Sequence, residues 1–166
     1  MYDLPMIACG YGQVSLSSTN VYTLASAVQA SFTATGSGVN LTTSSVTGFI
    51  RIGSTLAGSG VTTGTTIVSQ TSGTPNGAGV YVTSVATTSS TASLTTAGIP
   101  STANVAIMTV STANVRWRDD GAAPTASVGV LIPAASVPYQ YTGPLSAFQL
   151  TAVSGSPSVD VAFYKQ

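Results

Sequence analysis

The chain has 166 residues, of which four are Lys or Arg, four are acidic and none is His; every acidic residue is Asp. Charged residues make up 5% of the chain, against roughly 25% in an ordinary soluble domain, while 24 Ser and 26 Thr supply the polarity. Four cations cannot form the basic face that nucleic-acid binding needs. One cysteine, Cys9, cannot form a disulfide framework. Histidine-based catalysis and zinc chemistry lack their commonest residue.

The order of residues excludes more. Mean hydropathy is +0.40, but no apolar run approaches the roughly 20 residues of a spanning helix, so no membrane partner is expected. Met1–Gly12 lacks the basic start of a signal peptide. Within it, Met6-Ile7-Ala8-Cys9-Gly10 resembles a lipoprotein cleavage box only faintly, after a stretch that is short and carries Asp3 and Pro5. Cys9 is expected to be a small packed thiol.

Taken in chain order, the elements read as β almost throughout. Val14, Leu16 and Ser18 alternate with Ser15 and Ser17, as in a strand with one buried face. Thr23–Ala30 is compatible with a helical turn but has no cap or charged face to extend it. Three short β-like pieces follow, over Gly48–Ile52, Thr65–Val68 and Gly79–Thr83. Between the last two, Thr74-Pro75-Asn76-Gly77 has the residues of a hairpin turn. Gly36-Ser37-Gly38 and Gly58-Ser59-Gly60 resemble fragments of a phosphate loop but lack the Lys and helix that follow one, and read as turns. Further strands are predicted over Val105–Val110, from Val115, over Phe148–Val153 and over Val159–Tyr164. The fold expected is all-β: an antiparallel β-sandwich of jelly-roll-like character carrying a small inserted β module.

Composition sets the boundaries. Residues 1–31 and 98–166 hold seven of the eight charges and the only Trp, whereas residues 32–97 hold Arg51 alone. The outer segments are expected to form the host domain and 32–97 the insert, since domain insertion succeeds where both chain ends lie close together.

Half of the charges fall in Arg116-Trp117-Arg118-Asp119-Asp120, ahead of Gly121. The pattern is that of a strand ending in a turn, with both arginines on one face. Three uses of the cluster are open. The carboxylates can pair with the arginines, within or between subunits. They can contribute to an ion site, although calcium takes six to eight oxygens. They can act as a catalytic pair, but no further acid or base stands near them in sequence. Tyr139 and Tyr141, between Pro138 and Pro144, are either a packed loop or an assembly contact, since interfaces are enriched in Tyr. No serine has a base to activate it.

The stretch Val115–Val130, with Arg116-Trp117-Arg118-Asp119-Asp120-Gly121 at its start, resembles a motif of small tailed-bacteriophage virion structural proteins. Tyr141-Thr142-Gly143-Pro144-Leu145-Ser146 is similar to the segment that follows it there. The likeness covers residues 98–166 and, loosely, 14–31; the middle segment resembles a Gly/Thr-rich β module found inserted in virion proteins. The resemblance implies a head decoration, cement or head-fibre component on the outer surface of the phage head, made in the host cytoplasm. It implies assembly with the major capsid protein and with itself as a dimer or trimer, and no catalysis, cofactor or metal. Arg116, Arg118, Asp119, Asp120, Tyr139 and Tyr141 are then candidate assembly contacts. A tail or adsorption component that contacts a receptor is the alternative, and a hydrolase of envelope polymer is the third possibility.

Overall fold

A computed structural model describes residues 5–166. The part of the Met1–Gly12 stretch before Pro5 therefore lies outside the described residues. In chain order the strands are β1 (Ile7–Ser15), β2 (Tyr22–Thr23), β3 (Val28–Gly48), β4 (Thr55–Gly58) and β5 (Ile67–Gly73). They continue as β6 (Gly79–Thr87), β7 (Ala92–Ala97), β8 (Val105–Val110) and β9 (Val115–Arg118). The last four are β10 (Val130–Ile132), β11 (Tyr139–Tyr141), β12 (Gln149–Ala152) and β13 (Ser158–Lys165). The expected helical turn is a single 3-10 turn over Leu24–Ser26. The protein is all-β, and its strand pairs are antiparallel.

The chain divides into two compact units, one holding residues up to Ala27 together with Ile99–Gln166, the other Val28–Gly98. Residues 28–31, placed with the outer segments by composition, belong to the second unit because Val28, Ala30 and Ser31 pair with β7.

The first unit is a sandwich. One sheet has the order β11-β8-β13-β1, the other β10-β9-β12-β2. Alternation explains the core: Val159, Val161 and Phe163 of β13 turn inward with Val14 of β1 and Met108 of β8, and meet Val115, Leu150 and Ala152 from the opposite sheet. The chain's first described strand and its last are neighbours, with Ile7 opposite Lys165 and Ser15 opposite Ser158. Cys9 sits at the bulge between Ala8 and Gly10, half-buried against the core, with its Sγ 3.4 Å from Thr102 Oγ1. On the outer face, Tyr11 and Gln13 both donate to Asp160 Oδ1, at 2.6 and 2.7 Å. That carboxylate, above all through its hydrogen bond, pushes the Tyr11 hydroxyl up to about 12.

The second unit is a three-stranded ribbon folded over at its middle. Strand β3 is long enough to be paired twice along its length, with a register shift in each pairing: Thr43 to Gly38 run beside Gly79 to Thr87 of β6, and Ala34 to Val28 beside Ala92 to Ala97 of β7. Beyond them, β5 pairs β6 and β4 pairs β7. The bend falls at Gly36 and Gly38. A Cβ on Gly36 would stand 2.2 Å from Thr87 Oγ1, and Gly38 has φ +62°, so both positions need glycine. Folding brings Phe32, Leu56 and Leu94 of one half onto Leu41, Ile67 and Tyr81 of the other. The isolated bridge Thr55–Thr66 and the bonds Leu56 N–H to Thr65 O (2.8 Å) and Ile67 N–H to Ser54 O (3.0 Å) bring the ends together without closing a barrel.

The strand expected over Gly48–Ile52 is corrected. Gly48 ends β3 at φ +85°, and Phe49–Ile52 is irregular, tied down by Phe49 N–H to Gln29 O and Ile50 N–H to Asn76 O. Only Ile50 of that run is buried. The Thr74–Gly77 turn joins β5 to β6 as expected, with Gly77 N–H on Thr74 O at 2.8 Å.

Charge is replaced here by hydroxyl and amide bonds. Buried Gln29 accepts from Ser54 Oγ at 2.9 Å and donates to Gly98 O at 2.7 Å, and Thr83 donates to Val39 O at 3.1 Å. Truncating Leu94 to Ala, at a fully enclosed position, is expected to cost about 2–5 kcal/mol in a denaturant titration. A loss well under that range would mean that the two halves of the ribbon do not pack as described.

Candidate functional site

Of the six sequence-predicted residues, Tyr139 and Tyr141 pack on the Trp117 ring, while Arg116, Arg118, Asp119 and Asp120 flank it in sequence. In β9, Val115 enters the core and Trp117 points to the same side, leaving Arg116 and Arg118 on the other face. The indole stacks on Phe148 at a centroid distance of 4.8 Å and a 17° tilt. Tyr141 meets it edge-on at 5.4 Å, and Tyr139 lies tilted at 5.8 Å. Tyr139 and Tyr141 belong to β11, in the opposite sheet, so the cluster joins the two layers of the sandwich.

The charges organise the long connection from β9 to β10. Arg116 reaches across its base, donating from Nη1 to Gly129 O at 2.7 Å and from Nε to Ala126 O at 3.2 Å. Arg118 and Asp120 form a two-pronged ion pair, with Nε to Oδ1 at 2.9 Å and a second bond from Nη2 to Oδ2. Asp120 Oδ1 also accepts the Ala122 N–H at 3.2 Å. Asp119 takes another direction, accepting the Tyr141 hydroxyl on Oδ2 at 2.8 Å. Adjacent carboxylates thus serve different partners. Among the described residues no three His, Cys or Asp side chains come together as a metal site.

The protonation equilibria follow from these contacts. The Arg118 hydrogen bonds, helped by the Ala122 N–H, hold the Asp120 carboxyl down to about 2. Burial raises the Tyr141 hydroxyl, and its bond to Asp119 and that residue's charge raise it further. Tyr139 is raised by burial and by Asp119, partly opposed by the nearby indole N–H. That N–H is close to the Tyr139 hydroxyl but makes no hydrogen bond of ordinary geometry, and it is buried.

At the start of the connection lies a shallow pocket of about 280 Å³, lined by Trp117, Arg118, Asp119, Asp120, Gly129 and Val130. Beside it the chain runs without a charge from Gly121 to Val159. This stretch exposes Val128, Val130, Leu131 and Val137, the last 84% accessible. Sequence reasoning passed over these four residues; the signal available was their position in an uncharged run bounded by Pro124 and Pro138. Among the described residues, strand β10 is an edge, paired on one side only.

No protein-family model, no curated protein and no solved structure matches the chain.

Two outcomes are expected. A carboxyl whose pKa is depressed in the fold stabilises it above the unfolded value, near 3.8 for Asp120, and the contribution is lost as pH falls through about 2. The stability difference between the wild type and Asp120→Asn should therefore shrink as pH is lowered between these values. A difference that stays constant over that window in acid-unfolding curves would show that the pair contributes nothing. Phe148→Ala removes the ring stacked on Trp117 and should cost about 3–5 kcal/mol, with a red shift of the sole tryptophan's emission.

Proposed function

We propose that this chain is a tailed-phage virion structural protein, a decoration or cement protein that binds the assembled head shell. The observation that carries it is the Tyr141–Asp119 hydrogen bond. It joins the two segments, 115–130 and 141–146, whose sequences resemble virion structural proteins. The uncharged edge beside that bond, with Val128, Val130, Leu131 and Val137 exposed, supports a contact role. An open edge strand offers backbone hydrogen bonds and apolar side chains to a partner, and such a contact depends little on salt.

The partner is the major capsid protein, with a second or third copy of this chain around a local symmetry axis. The physical gain is mass action: a protein that binds the assembled shell and not its free subunits stabilises the shell, and the gain repeats at every site. No chemical reaction is assigned. The adsorption alternative draws on the second unit, where Phe49 and Ile52 are 58% and 66% accessible and Arg51 lies over the Phe49 ring at 5.9 Å. Copy number separates the two, hundreds per particle for decoration and a handful near the tail for adsorption.

Purified protein added to shells that lack it should co-sediment with them and raise their heat-disruption temperature. Leu131→Asp, which places a charge on the edge, should lower occupancy at least tenfold while leaving the isolated chain folded. Wild-type protein that never sediments with shells would overturn the proposal.

A further inference from the structure

The turn between β5 and β6 holds a reactive pair of residues and a clamp over it. Of the chain's five asparagines, Asn76 alone precedes a glycine; Asn20, Asn40, Asn104 and Asn114 precede Val or Leu. With no Cβ on Gly77, its peptide nitrogen is open to approach by the side-chain carbonyl carbon of Asn76. Asn76 is also exposed to water, at φ +57°. The fold holds the pair back. Gly77 N–H donates to Thr74 O at 2.8 Å, and Asn76 O accepts from Ile50 N–H at 2.8 Å, so both polar ends of the peptide group between them are occupied. Gln70 spans the turn. Its Oε1 accepts the Asn76 N–H at 2.9 Å, and its Nε2 donates to Thr74 O at 2.7 Å and to Ser72 O at 3.3 Å. The hydroxyl of buried Tyr81 donates to Gly77 O at 2.7 Å.

We propose that Asn76–Gly77 is a site of self-modification, an asparagine that converts to an acid at a rate set by the opening of the Gln70 clamp. The Gly77 nitrogen gives up its proton and attacks Asn76 Cγ. The N–Cγ bond forms, the Cγ–Nδ2 bond breaks, and the side-chain amide nitrogen leaves as ammonia with that proton. Water then opens the five-membered imide. Addition at Cγ gives aspartate; addition at the backbone carbonyl gives isoaspartate, whose main chain runs through Cβ and Cγ. The imide nitrogen bears no hydrogen, so the Gly77–Thr74 bond is lost on the way to either product. The turn must open first, and weakening the clamp raises the open population. Either product puts a carboxylate into a unit whose only charge is Arg51. Isoaspartate also lengthens the turn that anchors Ile50, between the exposed Phe49 and Ile52. The modification concerns this turn alone and holds whether or not the chain binds a shell.

Incubating the full chain in mildly alkaline buffer, then mapping its peptides by mass spectrometry, reads the conversion at each asparagine. In denaturant, Asn76 should convert while the other four stay intact. In the folded wild type, Asn76 should convert roughly a hundredfold more slowly than in denaturant, and Gln70→Ala should convert about tenfold faster than the folded wild type. Thermal unfolding checks that Gln70→Ala is folded. Where it is not, Gln70→Glu takes its place: it has the same shape, keeps the acceptor for Asn76 N–H, loses the donor to Thr74 O and should speed conversion in the same sense. Gly77→Ala, read in denaturant where no fold is needed, should slow conversion about tenfold. Conversion in the folded wild type as fast as in denaturant would overturn the proposal. So would a folded Gln70 variant that converts no faster than the wild type, or an Asn76 that stays intact in the denatured chain.

Discussion

The first unit depends on the stack of Trp117 on Phe148. Trp117 rises from β9 and Phe148 stands immediately before β12 of the same sheet, and Tyr139 and Tyr141 close over them from the other. Charges are few, and at this end of the sandwich the aliphatic core between the layers is extended by aromatic area and by a hydroxyl–carboxylate bond. Tyr141 contributes both: its ring packs on Trp117 and Phe148 while its oxygen reaches Asp119. The ends of β9 and β11 are thereby fixed relative to each other, and the connection that begins at Asp119 starts from a defined point. Arg116 and Arg118 then hold that connection through its own carbonyls and Asp120. The charge cluster orders one hairpin end, and the adjoining edge is left bare.

The second unit solves the same shortage differently. Its only charge is Arg51, and its interior polar groups are hydroxyls and one amide. Thr43, Ser54, Thr65, Thr83 and Ser89 are buried, and each reaches a nearby oxygen. Hydroxyls suit this task, since each satisfies a local carbonyl without the desolvation cost of burying an ion.

What was legible in the sequence was what alternates with large apolar side chains. Val105–Val110 is β8 to the residue, and Val159, Val161 and Phe163 mark β13. Strand β3 was not legible, because its inward positions include Ala30, Ala34 and Thr43 and its interior holds Gly36 and Gly38. Those glycines read as turn formers, yet one is there for the close approach of Thr87 and the other for a bulge. Conversely, Phe49, Ile50 and Ile52 looked like a strand from hydropathy alone, and two of the three face solvent. At the candidate site, the pairing of Arg118 with Asp120 is local and could be anticipated. The bond from Tyr141 to Asp119 spans 22 positions, and nothing in a single sequence announces it.

The way the second unit begins and ends bears on how the whole chain folds. Val28 stands opposite Ala97 in the β3–β7 pair, and Gln29 holds Gly98. Entry and exit of that unit are a strand spacing apart, roughly 5 Å. Strands β1 and β13 come from opposite ends of the sequence, a pairing of the slow, non-local kind. Once the intervening unit has formed its own local pairs, it acts as a rigid clip that shortens the effective loop between them and lowers the closure entropy. The inserted unit, whatever it touches outside, is therefore a folding aid for the domain that carries it. Strand β13, made after the second unit, finds β1 across a gap that the middle of the chain has already drawn in.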